Sequence, residues 1–304
     1  MTEKIQKTLR DSAGMRWMVL FFLAFAMFCS YIFMDILSPI KDLMQSTRGW
    51  DSTAFGTMQG SETFLNVFVF FLIFAGIILD KMGVRFTAVL SGAVMLVGAT
   101  INWYAVTEMF QGSSLETWFN ENLNYIPGFD ELGISPFYLG MPASAKFAAI
   151  GFMIFGCGVE MAGITVSKTI AKWFEGKEMA LAMGLEMAIA RVGVFAIFSI
   201  SPWLADMAPA TVVRPVAFCT VLLLIGLLTF VIFSFMDRKL DKQLGLDSRG
   251  GGGSEEEFKV SDLKYILSSK VFWIIAFLCV LYYSAIFPFQ RFATNMLESN
   301  LSVS

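Results

Sequence analysis

The sequence predicts an all-α membrane protein with seven spanning helices in its 304 residues. Three observations carry that reading. Hydrophobic residues make up 56% of the chain and charged residues 15%, where a soluble domain has about 45–50% and ~25%. Apolar runs close to the about 20 residues that a bilayer-spanning helix needs recur along the chain. The segments between them alternate between basic-rich and basic-poor, as the two sides of a membrane require.

The first run, 17–34, is too long for the apolar region of a cleavable leader, and no small-residue cleavage site follows before Asp35 and Pro39. It is the first span. Asp35 lies ~27 Å from its inner end at the helical rise, at the outer rim, and reads as an outer-gate contact or a helix-end cap. Runs 63–79 and 86–107 are the second and third spans, with Glu62 at the outer end of the second. About 40 residues then separate the third and fourth spans, where most loops are short. Within them Ser113 and Glu116 fit a capping box ahead of Trp118, Phe119 and Leu123. That spacing predicts a short amphipathic helix on the outer membrane surface or the bundle mouth, with partner docking as the alternative. Run 147–167 carries Glu160, and run 179–205 carries Glu186 and Arg191; runs 215–236 and 271–290 carry no charge.

With the N-terminus cytoplasmic, the inside segments 1–16, 80–85, 168–178 and 237–270 hold four, two, three and seven basic residues, sixteen in all. The outside segments hold five: Lys41, Arg48, Lys146, Arg214 and Arg291. The bias places the N-terminus, 1–16, in the cytoplasm. Residues 17–236 form a six-helix bundle. Residues 237–270 form a cytoplasmic linker, polar and flexible by its glycines at 250–253 and glutamates at 255–257. Residues 271–304 hold the first helix of a second bundle. The expectation is a protein of two six-helix halves, with the second half mostly missing and the 304-residue chain unable to transport alone.

Composition also excludes. There is no histidine, so histidine-based metal sites, catalytic triads and proton relays are out. Cys29, Cys157, Cys219 and Cys279 each sit in an apolar run and form no C-x-x-C pair; they read as packing residues rather than a disulfide or zinc framework. A net charge of −3 gives no reason to expect nucleic acid. No nucleophile–base constellation or metal cluster is visible, so no enzyme, catalytic residue, cofactor or metal is expected.

Two loops carry motifs. The second and third spans are joined by Gly76-Ile77-Ile78-Leu79-Asp80-Lys81-Met82-Gly83-Val84-Arg85. Gly83 permits a tight turn, Gly76 a close helix approach, and Asp80 can cap a neighbouring helix or pair with Arg85. Between the fourth and fifth spans lies Lys172-Trp173-Phe174-Glu175-Gly176-Lys177-Glu178, with Trp173 as an interfacial anchor and Gly184 and Ala188 as a small-residue face. These loops resemble the signatures of the major facilitator superfamily, G-x-L-a-D-r-x-G-r-k and W-F-x-x-[KR]-[ER]. Gly76, Asp80, Lys81, Gly83 and Arg85 match the first signature, and Val84 departs from its usual basic residue. The resemblance implies the major facilitator fold, with twelve helices in two halves of inverted three-helix repeats, of which this chain supplies the N-terminal six-helix bundle and helix seven. It also implies transport by alternating access.

Charged residues at membrane depth are costly and usually face a cavity or a partner. Glu160 lies ~12 Å and Arg191 ~18 Å from the inner helix ends of a ~30 Å core. They either pair with each other or clamp opposite ends of a zwitterion, Arg191 on the carboxylate and Glu160 on the ammonium. Glu186 points ~140° away from Arg191 around the helix and is expected to face a neighbouring helix. Tyr31, Tyr282 and Tyr283 are candidate cavity residues, because the first and seventh helices line the cavity in this superfamily.

Three segments resemble one branch, the lysosomal dipeptide transporters of animals and their microbial relatives. They are 16–35, with Val19-Leu20-Phe21-Phe22 and Ser30-Tyr31; Glu160 through Trp173-Phe174 to Ala190-Arg191-Val192-Gly193; and Phe272-Trp273 with Tyr282-Tyr283 and Ala285-Ile286-Phe287-Pro288-Phe289. That likeness implies that Glu160 and Arg191 touch substrate and that dipeptides move by facilitated diffusion, with little dependence on a proton gradient. The G-P-x-x-G-G motif of drug antiporters is absent from 193–202, and the E-x-x-E-R motif of proton-coupled peptide transporters from helix one. The expected function is a secondary transporter of small zwitterionic or carboxylate solutes, dipeptides first. Its alternatives are an organic-anion or monocarboxylate exchanger and a truncated, non-transporting scaffold or receptor. The expected partners are a small-molecule substrate, the lipid bilayer and the missing C-terminal half-bundle; the expected location is the bacterial inner membrane.

Overall fold

The computed structural model describes residues 8–245 and 260–301. The regular elements among them are all helical. In chain order they are α1 (Ala13–Met34), α2 (Lys41–Arg48), α3 (Ser52–Gly60), α4 (Phe64–Phe68), α5 (Phe71–Val106), α6 (Ser114–Asn122), α7 (Ala143–Trp173), α8 (Met179–Asp206), α9 (Val213–Leu244), α10 (Val260–Leu267) and α11 (Lys270–Leu301), with 3-10 turns at Leu9–Asp11, Ser38–Ile40 and Ser61–Thr63. The chain divides into two units, Met1–Gly252 and Gly253–Ser304. The linker's glycines at 250–253 and glutamates at 255–257 lie outside the described residues. The flanks of that linker are helical, since α9 runs on to Leu244 and α10 begins at Val260.

Six helices among the described residues are long and apolar enough to cross a membrane: Ala13–Arg48, Phe71–Val106, Ala143–Trp173, Met179–Asp206, Val213–Leu244 and Lys270–Phe289. Seven were expected, and the difference lies in the second and third spans. The expected second span is not one helix. Residues 63–79 comprise the end of the 3-10 turn Ser61–Thr63, α4, a break at Phe70 in the left-handed region (φ 55°) and the first part of α5. The third span is a separate helix, because the chain leaves helical geometry at Gly83 within α5 (φ 77°, ψ 168°).

Contacts with α7 show that the chain reverses there. Glu62 abuts Gly156, and Asp80 reaches Lys168, so the path to Gly83 runs parallel to α7. Beyond Gly83, Met95 lies at Gly158 and Asn102 at Gly151, so the path runs back. Gly83 is therefore the turn of a hairpin, as its place in the motif requires.

α7 is the hub of the first unit and is buried along most of its length. Glycine makes that possible. A Cβ at Gly98 would stand 2.5 Å from the Gly151 carbonyl oxygen and 2.5 Å from the Phe155 nitrogen. A Cβ at Gly158 would stand 2.8 Å from the Met95 nitrogen. Helices in lipid gain their association from such close approach rather than from hydrophobic exclusion. Phe33 of α1 packs its ring 4.6 Å from that of Phe155 on the same hub.

The two ends of the bundle are tied differently. At the end where α1 begins, the turn Leu9–Asp11 is strapped to the α7–α8 loop. Arg10 pairs with Glu175 at 2.5 Å, Lys177 with Asp11 at 2.9 Å and Arg16 with Glu178 at 3.3 Å, and the Leu9 N–H donates to Gln243 Oε1 at 2.8 Å. At the opposite end the long α5–α7 loop carries α6 as expected. Ser113 Oγ accepts from the Glu116 N–H at 3.2 Å, but Glu116 reaches back to the Gly112 N–H, one residue before the N-cap. Phe119 of α6 packs on Phe147 of α7 at 5.2 Å, and Lys146 Nζ donates to the Phe119 carbonyl and to Asn124 Oδ1. α6 thus packs on the first turn and a half of α7.

Gly158→Ala is expected to lower the thermal midpoint in detergent, costing about 1–3 kcal/mol, because the Cβ meets backbone that has no room to move. Gly163→Ala on the same helix has nothing within 4 Å of its Cβ. It is expected to hold or raise the midpoint, since glycine inside a helix costs about 0.5–1 kcal/mol relative to alanine.

The strap carries a pH signature. Hydrogen bonds from Lys177 and from Thr8 hold the Asp11 carboxyl well below the usual carboxylate range. The Glu178 backbone and Arg16 lower Glu178. Depressed carboxylates stabilise fully above their ordinary range of about 4, and that stability is lost as pH falls below it. Protease protection of residues 8–12 is expected to stay constant through neutral pH, to fall in acid and to weaken with salt.

Candidate functional site

Five polar side chains meet on one side of the first unit. Tyr31 comes from α1, Glu62 from the turn before α4, Glu160 from α7, and Glu186 and Arg191 from α8. The Arg191 guanidinium stands over the Tyr31 ring, 5.2 Å from its centroid, a cation–π geometry. Glu62, Glu160, Glu186 and Arg191 all lie within electrostatic reach of the Tyr31 hydroxyl. Three carboxylates and one guanidinium therefore share the surroundings of Tyr31.

The members differ in exposure. Glu160 and Arg191 are exposed, Tyr31 is half-buried, and Glu62 and Glu186 are buried. Among the described residues, no ion pair joins Glu160 to Arg191. The internal salt bridge left open by the sequence is therefore not formed, and both heads remain available on the open face. Glu186 is buried on α8, 9% exposed, within electrostatic reach of the same Tyr31 hydroxyl. Glu62 was read as an outer helix-end residue; instead it is brought into the cluster by its tight contact with Gly156, one turn from Glu160.

The signature-loop residues are placed as follows. Gly83 makes the turn. Asp80 does not pair with Arg85: it takes Lys168 of α7 at 3.0 Å, while Arg85 takes Asp241 of α9 at 3.3 Å. Lys81 is exposed, and a Cβ at Gly76 meets nothing within 4 Å among the described residues, so Gly76 mediates no close approach within this unit. Gly184 is likewise open, and Ala188 is exposed. Asp35 is buried and is the C-cap residue of α1, its carbonyl accepting from Ser38 N–H at 3.1 Å. Tyr282 and Tyr283 belong to the second unit, where they are exposed with ring centroids 5.2 Å apart.

Trp173 is a correction with a consequence. It is fully buried rather than interfacial, and its Nε1 donates to Asp237 Oδ1 at 2.8 Å. Asp237 also accepts from Lys172 at 2.9 Å, and Lys172 bridges to Asp241 at 2.6 Å. With Arg85 this makes a four-residue ionic cluster joining α5, α7 and α9. Sequence reasoning missed it; its visible trace is the pair Asp237 and Asp241 four residues apart on one helix face. Among the described residues, no group of three or more metal-ligating side chains is arranged to hold a metal.

Asp237→Ala strands the Lys172 ammonium and the buried Trp173 N–H, and is expected to cost about 3 kcal/mol in thermal or denaturant unfolding. Asp237→Asn, which can still accept from Trp173, is expected to cost clearly less.

The sequence model of the Major Facilitator Superfamily matches residues 131–302. The Lysosomal dipeptide transporter MFSD1 of Danio rerio is 24% identical over 283 residues, 90% of this chain and 52% of that protein. The protein of the same name from Gallus gallus is 30% identical over 148 residues, 46% of this chain and 32% of that protein. The one from Homo sapiens is 23% identical over 284 residues, 90% of this chain and 52% of that protein. The chain spans about half the length of most of the curated relatives it matches. No solved structure matches it.

Proposed function

This chain belongs to the Major Facilitator Superfamily, and we propose that it forms the N-terminal part of a secondary transporter that moves small zwitterions, dipeptides first, by alternating access. The protein is an integral membrane transporter rather than an enzyme. The finer reading rests on one observation: Arg191 and Glu160 lie on consecutive long helices, exposed on the same side, and are not spent on each other. The Tyr31 ring holds the guanidinium from one face, leaving its N–H edge to fork a carboxylate. Glu160 then takes the ammonium at the other end of the solute. Tyr282 and Tyr283 are proposed as contacts from the seventh helix, and Asp35 as an outer-gate residue. The choice of dipeptides follows the relatives, which are named as dipeptide transporters.

The inside-positive bias supports a cytoplasmic N-terminus. The strap and the Lys172–Asp237 cluster then lie on the cytoplasmic side, and the signature loop with Asp80, Lys81 and Arg85 is the cytoplasmic gating loop. The bacterial inner membrane is the proposed location; the relatives' names are lysosomal.

The test is counterflow of labelled alanyl-alanine into proteoliposomes holding a polypeptide that joins this chain to a second half-bundle. Exchange is expected for the intact protein and to fall at least tenfold in Arg191→Ala and in Glu160→Gln. Exchange of oxalate or lactate alone, lost in Arg191→Ala but kept in Glu160→Gln, would move the assignment to an anion exchanger. No flux of any of these from folded protein would leave a non-transporting scaffold.

A further inference from the structure

We infer that α4 is a latched gate beside the solute cluster: the break at Phe70 is its hinge, and Phe129 of the α6–α7 loop is the latch that holds it bent. Phe70 stands at φ 55° and ψ 36°, a left-handed conformation that costs any residue with a side chain. Residues 64–75 contain no glycine or proline, so no local helix breaker puts the bend there. It is imposed from outside. Asn66 carries a second strain. Its amide nitrogen and oxygen are both buried and, among the described residues, find no hydrogen-bond partner. A buried amide is costly to leave unpaired. Strain at two positions four residues apart marks an element with a second arrangement to adopt.

Both ends of the segment are pinned to α7. Upstream, the Glu62 carbonyl lies where a Cβ at Gly156 would stand, and Ser61 Oγ donates to the Ala149 carbonyl at 3.0 Å. Downstream, Asp80 takes Lys168 at 3.0 Å. Eighteen residues separate Glu62 from Asp80, but only twelve separate Gly156 from Lys168. At the helical rise these are about 27 Å and about 18 Å. The surplus is slack: the segment cannot run straight between its pins, but the place where it bends is free to shift. Val67, Phe68, Val69 and Phe70 are all exposed. Four consecutive residues point to every side of a helix, so the end of α4 stands off the unit. The α6–α7 loop fixes the bend. The Phe129 ring lies 5.3 Å from that of Phe64 and 5.6 Å from that of Phe68, which are 4.9 Å from each other. The loop is firm because it closes on itself. The Gly133 N–H donates to the Asp130 carbonyl at 2.8 Å, the Ile134 N–H to the Phe129 carbonyl at 3.1 Å and the Ile126 N–H to Ser135 Oγ at 3.2 Å.

The path of α4 is parallel to α7 with Glu62 against Gly156, which puts Asn66 level with Glu160. With the latch closed, the Asn66 amide is shut in. With the latch open, Phe70 turns helical, the bend moves elsewhere, and α4 swings with Asn66 past Glu160. Access to Glu160 thus changes with the latch. The link to solute rests on the zwitterion reading; the hinge and the latch do not.

Distances between spin labels read the gate directly in the 304-residue chain in nanodiscs. Labels go on Val67→Cys in α4 and Val97→Cys in the second limb of α5, both exposed, with Cys279→Ser removing the exposed native thiol. One distance is expected with the latch intact. Phe129→Ala is expected to add a second population displaced by about 5 Å, one helical turn. A control pair, Val97→Cys with Val221→Cys, is expected to keep its distance. Phe70→Gly suits the left-handed conformation and is expected to remove the second population even in the Phe129→Ala chain. An unchanged distance in Phe129→Ala, or movement of the control pair, overturns the latch. A second population that survives Phe70→Gly overturns the hinge. In proteoliposomes of the protein joined to a second half-bundle, Phe70→Gly is expected to lower alanyl-alanine counterflow about fivefold; undiminished counterflow overturns the gate. Absence of dipeptide flux from every folded variant sinks the zwitterion reading, and the distances then decide the hinge and latch by themselves.

Discussion

The bundle depends on a seam of bare backbone along α7. Gly151, Gly156 and Gly158 let two stretches of chain, the turn at Glu62 and the second limb of α5, approach that helix closer than any side chain would allow. Lipid offers no solvent to squeeze helices together, so contact at this range and the dispersion it gathers hold them in register. The site inherits its geometry from the seam. Gly156 sets Glu62 against α7 one turn from Glu160, and Phe33 on Phe155 sets α1, and with it Tyr31, against the same hub. Arg191 then needs only the α1–α8 contact at Gly193 to reach the Tyr31 ring.

Charge is used in two ways along the bundle. Where α7, α8 and α9 meet the N-terminal segment, carboxylates and cations are matched: Asp80 with Lys168, Asp237 and Asp241 with Lys172 and Arg85, Glu175 with Arg10, Asp11 with Lys177. Those pairs fix helices to one another. At mid-depth the matching stops, and Glu160, Glu186 and Arg191 share no ion pair among the described residues. An ionisable group at that depth without a structural partner is available to a solute that arrives.

Much of this was legible in the sequence, because hydropathy and basic asymmetry report directly on which segments lie in lipid. The hairpin at Gly83 was clearer in the motif than in a count of helices, since one non-helical residue separates two spans. What escaped has a common cause: it depends on partners far away in the chain. Asp80 and Arg85 sit five residues apart and invite a local pair, yet each finds its counter-ion on another helix. Trp173 has the residue type of an interfacial anchor and is buried because Asp237, 64 residues on, accepts from its indole. The break at Phe70 has no glycine or proline to announce it. Gly76 and Gly184 show the converse, small residues that face open space within this unit.

The exceptions to the basic asymmetry have a structural use of their own. Arg48 donates through Nε and its guanidinium to the carbonyl of Val106, the last residue of α5. Arg214 donates to the carbonyls of Leu204 and Met207 at the end of α8, and Lys146 to that of Phe119 in the last turn of α6. Each cation thus caps carbonyls in the last turn of a helix and sits at the negative end of a helix dipole. These three sit on the sparse side because helices end there, and their presence needs no account in terms of topology. Setting them aside leaves Lys41 and Arg291 against sixteen on the other side. The orientation proposed from the basic asymmetry therefore meets no objection from these three, whose places are explained by the helix ends they serve.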